Sequence, residues 1–378
     1  MKLVPRTIQK EVENSLFKGK VVIIYGARQV GKTTLIKQIQ DKYPDLSVYL
    51  NCDEPDIRTA LTDATSTAMK AFIGEKKIVF IDEAQRVKNI GLTLKLLVDN
   101  YPEMQIVATG SSSFELSNQI SEPLTGRKYE FYVYPFSWEE LSGVNDETTL
   151  SRLLETRILF GMYPETAQKG QQEAQNLLKN IVGSYLYKDV LQYQDIKNPE
   201  VLDKLLRALA LQIGNEVSYN ELSQTVGVEK RTVANYIQIL EKAFIVFRVS
   251  PFSRNLRTEL KKMRKIYFFD TGIRNTLINN FNPLNLRTDT GALWENFLMS
   301  ERLKFNQNNF LNKNIYFWRT HSKKEIDYLE EAGGQLDAFE FKWQKDKAKP
   351  PSEFVKAYPS ASFQLINREN YRDFLIEK

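Results

Sequence analysis

Gly26-Ala27-Arg28-Gln29-Val30-Gly31-Lys32-Thr33 spaces two glycines, a lysine and a hydroxyl in the pattern G-x-x-x-x-G-K-S/T. The apolar run Val21–Tyr25 precedes it and a helical pattern from Lys32 follows it. This is the context in which glycines let a backbone curl until successive N–H groups face phosphate oxygens. A helix starting there adds its dipole to the attraction. In this reading Lys32 reaches the β- and γ-phosphates and the Thr33 hydroxyl ligates Mg²⁺. Arg28 is placed to touch phosphate, though nothing requires its side chain there. The plainer alternative is a glycine turn between strand and helix with no ligand.

A second run, Ile78-Val79-Phe80-Ile81, ends in Asp82-Glu83. Carboxylates at the C-terminal end of a buried parallel strand lie where open sheets bind ligands. Asp82 is expected in the Mg²⁺ shell and Glu83 as the base that orients and deprotonates water. A Glu directly after the Asp favours hydrolysis over binding alone; helix capping is the structural alternative. A third strand, Gln105–Thr109, leads into Gly110-Ser111-Ser112-Ser113, where Ser111 is the expected γ-phosphate sensor or else an ordinary turn residue. Arg127, in Leu124-Thr125-Gly126-Arg127, is the expected arginine finger, with a solvated surface arginine as the alternative.

Positioning these residues takes a layered α/β domain. Val21–Tyr25, Ser47–Leu50, Ile78–Ile81 and Gln105–Thr109 are nearly continuously apolar, as strands of a doubly covered parallel sheet should be. Helical patterns at Lys32–Lys42 and Ile90–Tyr101 alternate with them. Tyr129–Tyr134 reads as a fifth strand, and Ser137-Trp138-Glu139-Glu140 as a capping box.

The blocks GARQVGKTTL, FIDEAQRV, ATGSSS and PLTGRKYEFYVYPFSWEEL resemble the AAA-type P-loop ATPases of bacteria and archaea, which carry an uncharacterised C-terminal region. The resemblance spans about Val21 to Leu141 and extends more loosely through YFFDTGIRN, ALWENF and FEFKW. It implies ATP as ligand and Mg²⁺ as cofactor, held by Gly26 to Thr33 and Thr34. It also supports Ser111 as sensor and Arg127 as finger.

Composition narrows the rest. The 378 residues hold one histidine, one cysteine and a net charge of +5. A structural zinc site, a disulfide framework and a redox pair of cysteines therefore cannot be built within one chain. No apolar run approaches the ~20 residues of a membrane span and no secretory leader is visible, so a soluble cytoplasmic protein without a membrane partner is expected. The oligomeric state stays open. A finger acting in trans would demand assembly; one acting in cis would not.

From about Glu147 the pattern turns helical. Tyr219–Val226, Gly227 and Lys230–Ala243 then read as a winged helix–turn–helix, with wing strands at Phe244–Val249 and Lys265–Phe269. Lys230, Arg231 and Thr232 open its second helix. Six basic residues (Arg254, Arg257, Lys261, Lys262, Arg264 and Lys265) face one acid, Glu259, between 250 and 265. That excess suits a DNA backbone, or simply a solvated face.

Farther on come a helix at Ala292–Phe305 and strands near Ile315–Trp318, Glu325–Glu330, Leu336–Lys342 and Ser362–Ile366. A Gly333-Gly334 turn places Asp327 directly opposite Glu340, with Lys342 on the same face. Two opposed carboxylates repel unless a cation bridges them or water screens them. With a lysine beside them they suit metal-dependent phosphodiester cleavage, and Glu295 is a further ligand. The spacing resembles the D…ExK motif of restriction-endonuclease-like nucleases and Holliday-junction resolvases. A polar hairpin face and a fold that no longer cleaves are the alternatives. His321 reads as a surface residue.

The expected fold class is α/β: a P-loop NTPase parallel-sheet domain (1–145), a helical and winged-helix region (146–270) and a restriction-endonuclease-like α/β domain (271–378). The expected function is ATP hydrolysis coupled to action on DNA. The alternative is a nucleotide-gated switch whose C-terminal half binds protein partners and does not cleave.

Overall fold

The computed structural model describes residues 3–110, 116, 119–186, 198–252, 264–320, 322–344 and 347–376. Chain contacts divide it into two compact units, one of residues 5–135 with 242–244, the other of residues 1–4, 136–241 and 245–378. Three segments were expected. A single sheet runs through what the sequence reading splits at 270, which is why the last two segments form one unit.

In the first unit β1 (Val21–Tyr25), β2 (Ser47–Asn51), β3 (Ile78–Asp82), β4 (Gln105–Gly110) and β5 (Lys128–Tyr132) form one sheet in the order β2-β3-β4-β1-β5. Every pairing is parallel. The three inner strands are buried at every residue, while the edge strands β2 and β5 are not, so continuous apolarity marks the middle of the sheet. Helices Lys32–Gln40 and Ile90–Asn100 lie where the periodicity places them.

The second unit opens on the Ser137 capping box. The Ser137 hydroxyl accepts the Glu140 N–H at 3.1 Å, and the Glu140 carboxylate accepts the Ser137 N–H at 3.0 Å. Its seven-stranded sheet uses β6 (Glu216–Val217), β7 (Val246–Pro251), β8 (Arg264–Phe268), β9 (Asn314–Arg319), β10 (Glu325–Ala332), β11 (Gln335–Phe341) and β12 (Ser362–Ile366). The order is β12-β11-β10-β9-β7-β8-β6. Helices Tyr219–Val226 and Lys230–Lys242 flank Gly227, whose φ of 80° lets the chain turn between them. The join across the sheet is the parallel pairing of β7 with β9, Ser250 opposite Tyr316.

The long helix Thr290–Asn308 is buried along most of its length. Its Arg302 makes a two-pronged ion pair with Glu330 on β10, at 2.7 and 2.8 Å. Among the described residues no helix is long and apolar enough to cross a membrane.

Candidate functional site

The phosphate loop leaves β1 at Gly26. A Cβ there would lie 2.1 Å from the Val133 carbonyl oxygen, so only glycine lets the loop start so close to the neighbouring chain segment. Gln29 at φ 61° and Gly31 at φ 96° are both left-handed, and they curl the loop into the head of the Lys32–Gln40 helix. Lys32 is buried, and its Nζ donates to the carbonyls of Gly26 at 3.0 Å and Ala27 at 2.9 Å. The ammonium is thus held over the loop, where a polyphosphate would compete for it. Ala27 and Val30 are buried, Arg28 is half-buried, and Gln29 and Thr34 are exposed.

Asp82 ends β3 and is buried. Its Oδ2 accepts the Thr33 hydroxyl at 2.7 Å and the Tyr49 hydroxyl at 2.6 Å. Its Oδ1 accepts the Thr109 hydroxyl and, at 3.2 Å, the Glu83 N–H. Thr33 and Asp82, distant in sequence, therefore meet as the Mg²⁺ reading requires.

Glu83 sits in left-handed backbone (φ 53°, ψ 41°), a conformation a non-glycine residue keeps only when its surroundings hold it. Its N–H also reaches the Thr109 hydroxyl at 3.2 Å, and its carboxylate accepts Gln85 Nε2 at 2.6 Å. Both the backbone and the side chain of the expected base are fixed. Burial, then the bond to Asp82, pushes the Tyr49 phenol above its ordinary range and keeps it a donor. Burial, with the Asp82 charge, raises the Cys52 thiol to about 12.

Thr109, Tyr49 and Gln85 were not foreseen. Thr109 stands next to last in β4 and Tyr49 in the middle of β2, the two strands that flank β3, and only the strand order reveals this. Ser111 lies outside the described residues. Arg127 is not brought to this loop. It precedes β5, whose Lys128 pairs with Val21 at the amino end of β1, and its backbone carbonyl accepts the Val21 N–H. Because the strands are parallel, the loop lies beyond their other end, a strand's length of roughly 13–16 Å away. Its Nε donates to Asp99 at 2.7 Å, and the side chain is 43% exposed.

In the second unit the β10–β11 hairpin keeps the expected register from Ala332–Gln335 to Tyr328–Phe339. There the expectation stops holding. Ile326 and Leu329 pair with Trp318 and Tyr316, so β10 carries one extra residue against β9. At this bulge Asp327 does not form the expected ladder pair with Glu340; its Oδ2 accepts the Phe341 N–H at 2.8 Å.

Asp327, Glu295 and Glu325 each offer an oxygen within 4.8 Å of the others. Burial, then the Glu295 and Glu340 charges, drives Asp327 well above the usual carboxylate range. Glu340 bonds Lys342 at 2.9 Å. Burial lowers the Lys342 ammonium, but Glu340, Asp327 and Glu295 together outweigh it and raise its affinity for the proton.

Lys265 corrects the reading of a basic wing. It is 1% exposed and its ammonium pairs with Glu295 at 2.8 Å and with Glu325. Burial opposes its charge, and Glu295, Glu325 and Asp327 more than restore it. The Tyr267 hydroxyl donates to Glu295 at 2.6 Å. Lys265 is therefore unavailable to a phosphate backbone. Arg264 is half-buried, while Arg254, Arg257, Lys261, Lys262 and His321 lie outside the described residues. Lys230 and Arg231 are exposed and Thr232 half-buried at the head of their helix.

Residues 18–142 match a family model described as an AAA domain. Two further models, each described as a domain of unknown function (DUF8612 and DUF4143), match residues 151–284 and 290–374. An uncharacterized protein of Mycobacterium tuberculosis is 27% identical over 342 residues, covering 89% of this chain and 73% of that protein. One from Methanocaldococcus jannaschii is 25% identical over 344 residues, covering 86% and 75%. The Walker-type ATPase of Pyrococcus abyssi superposes with a TM-score of 0.53 at 16% identity, over 73% of this chain and 96% of that one. The chain thus has the fold of a P-loop ATPase, and its residues 18–142 are similar in sequence to AAA domains.

Proposed function

We propose that this protein binds and hydrolyses ATP with Mg²⁺ at the Gly26–Thr33 loop. One observation carries the reading: the Thr33 hydroxyl, from the loop, and Asp82, from β3, share a hydrogen bond beside a loop whose Gly26 leaves no room for a Cβ. Lys32 binds the β- and γ-phosphates, and the loop amides and helix head take the remaining negative charge. Mg²⁺, held from the Thr33 and Asp82 side, supplies neutralisation of charge on the phosphate oxygens. Glu83, fixed by Gln85, Thr109 and its own backbone, orients the attacking water and accepts its proton. Arg127 serves a second copy's nucleotide in this reading, since its own loop lies beyond the other end of the sheet. Calorimetry of wild-type protein should show ATP uptake that tightens with Mg²⁺ and is lost in Lys32→Ala. Folded wild-type protein that takes up no adenosine nucleotide would falsify the reading.

A second activity is favoured by the meeting of Glu295, Glu325 and Asp327 beside Lys342. Metal-dependent cleavage of DNA fits this donor set: carboxylates for the ion and a lysine to orient water. The exposed Lys230 and Arg231 at a helix head suit phosphate contacts that hold the duplex. The test is nicking of duplex or branched DNA with Mg²⁺ or Mn²⁺. Nicking absent from wild type, or persisting in Asp327→Ala, removes this reading. In that case the nucleotide-gated switch with protein partners remains.

A further inference from the structure

Asp82 is expected to stand beside the bound cation, yet its carboxylate has donors at both oxygens. A carboxylate offers about four lone-pair sites. In Asp82 they face Thr109 and the Glu83 N–H on Oδ1, and Thr33 and Tyr49 on Oδ2. Three of these donors belong to the phosphate loop or to the strand ends that complete its site. Tyr49 belongs to β2, an edge strand, and to no known part of that machinery.

We propose that Tyr49 is a positioning residue for the nucleotide's metal ion, holding the Asp82 carboxylate in the orientation that receives it. The inference rests on the Mg²⁺-nucleotide reading of the loop.

The geometry explains how an edge-strand residue reaches the site. Asn51 pairs with Asp82 and Tyr49 with Phe80, so Tyr49 lies diagonally behind Asp82 on the same face of the parallel pair. Diagonal neighbours are about 7–8 Å apart, a gap that an aromatic side chain spans and a short one does not. Lys37 of the Lys32–Gln40 helix lies over the ring, its Nζ 5.4 Å from the centroid. The phenol therefore touches both the helix that follows the phosphate loop and the strand that carries Asp82.

Tyr49 differs in this from Thr33, the other donor on Oδ2. The Thr33 hydroxyl donates to Asp82 and also offers its oxygen to a cation, so it serves two partners. The Tyr49 hydroxyl sits on a rigid ring and has no such second duty. It keeps Oδ2 fixed whether or not the cation is present, so the carboxylate need not reorganise when the ion arrives. An edge-strand tyrosine without this task would direct its hydroxyl to water, which its half-exposed position permits.

The experiment compares wild type and Tyr49→Phe by calorimetry with a non-hydrolysable ATP analogue, with Mg²⁺ and with EDTA. Tyr49→Phe keeps the ring, and its unfolding midpoint is recorded alongside. Affinity in EDTA should stay within about twofold of wild type. Affinity with Mg²⁺ should fall on the order of 10-fold, the scale of one hydrogen bond to a charged group. The same substitution made in Asp82→Asn should add nothing, because the carboxylate it steadies is gone. Equal affinities with Mg²⁺ overturn the proposal, as does equal weakening in both conditions or an undiminished effect in Asp82→Asn. Should wild type itself gain nothing from Mg²⁺, the nucleotide reading falls and not merely the role of Tyr49.

Discussion

Two clusters of charge in this molecule are built in opposite ways. In the first unit one buried carboxylate, Asp82, is surrounded by neutral donors: three hydroxyls and an amide. In the second unit one buried ammonium, Lys265, is surrounded by carboxylates. The first arrangement leaves a net negative charge, already oriented, beside a loop of N–H groups and a lysine. The second has most of its charge neutralised internally, and Asp327 is pushed toward its protonated form. A site that waits for a cation orients its carboxylate with neutral partners. A site that carries its own cation is first of all a structural joint, and any metal there must share its ligands with Lys265.

The sharpest break in the comparison lies in Glu83, which should matter to turnover and not to folding. Glu83→Gln keeps shape and hydrogen-bonding capacity but cannot take a proton. ATP hydrolysis should fall by roughly 10²–10⁴-fold with ATP affinity retained. Turnover near wild type would remove Glu83 as the base and leave Asp82 as the site's acting carboxylate.

The second cluster should show the reverse. Lys265→Met fills similar space and strands Glu295 and Glu325 beside each other without their ammonium. Breaking a buried pair on one side costs about 3–5 kcal/mol, to be read as a shift in urea unfolding of the second unit. A loss under about 1 kcal/mol would mean that water already relieves these carboxylates.

A third measurement separates the acid cluster from an ordinary buried ion pair on the same strand. Burial opposes the Glu330 charge, but the Arg302 fork outweighs it and holds the carboxyl at about 2, below its usual 4.5. The unfolded chain therefore binds this proton more readily than the folded one. The contribution is complete above pH 4.5 and is lost as pH falls toward 2, for about 3 kcal/mol in all. Stability measured across that window should fall with pH in wild type and fall less in Glu330→Gln. Equal slopes would show that Glu330 is not the group being titrated.

How much of this was legible in the sequence follows from how each site is assembled. The phosphate loop and β3 are contiguous runs, and the burial of β3 at every residue matches the unbroken apolarity of Ile78–Ile81. The hairpin register was readable because Gly333-Gly334 fixes it locally. The bulge at Asp327 was not, since it is set by β9, and nothing within β10 marks the extra residue. Lys265 looked like one more charge in a basic segment, because only the partners of β8 reveal that it points into the protein. Tyr49 and Thr109 read as strand filler for the same reason: their meaning lies in which strand is their neighbour. The order β2-β3-β4-β1-β5 puts both beside β3, and no local pattern states that order.

The smallest effect expected concerns Thr109, and it tests whether the Asp82 shell is redundant. Thr109→Val preserves the branched shape that suits a buried strand but removes the hydroxyl that donates to Asp82 and accepts from Glu83. Asp82 keeps Thr33, Tyr49 and the Glu83 N–H, and that N–H keeps Asp82 as its acceptor. No buried polar group is left without a partner, so the cost should be that of one hydrogen bond to a charged group, about 1.5–3 kcal/mol at most. Urea unfolding of the first unit measures it directly. A larger loss would show that the four donors act as one network, in which removing any member loosens the rest. The neutral shell would then be as unforgiving as the ionic joint around Lys265, and the contrast between the two clusters would be one of charge and not of tolerance.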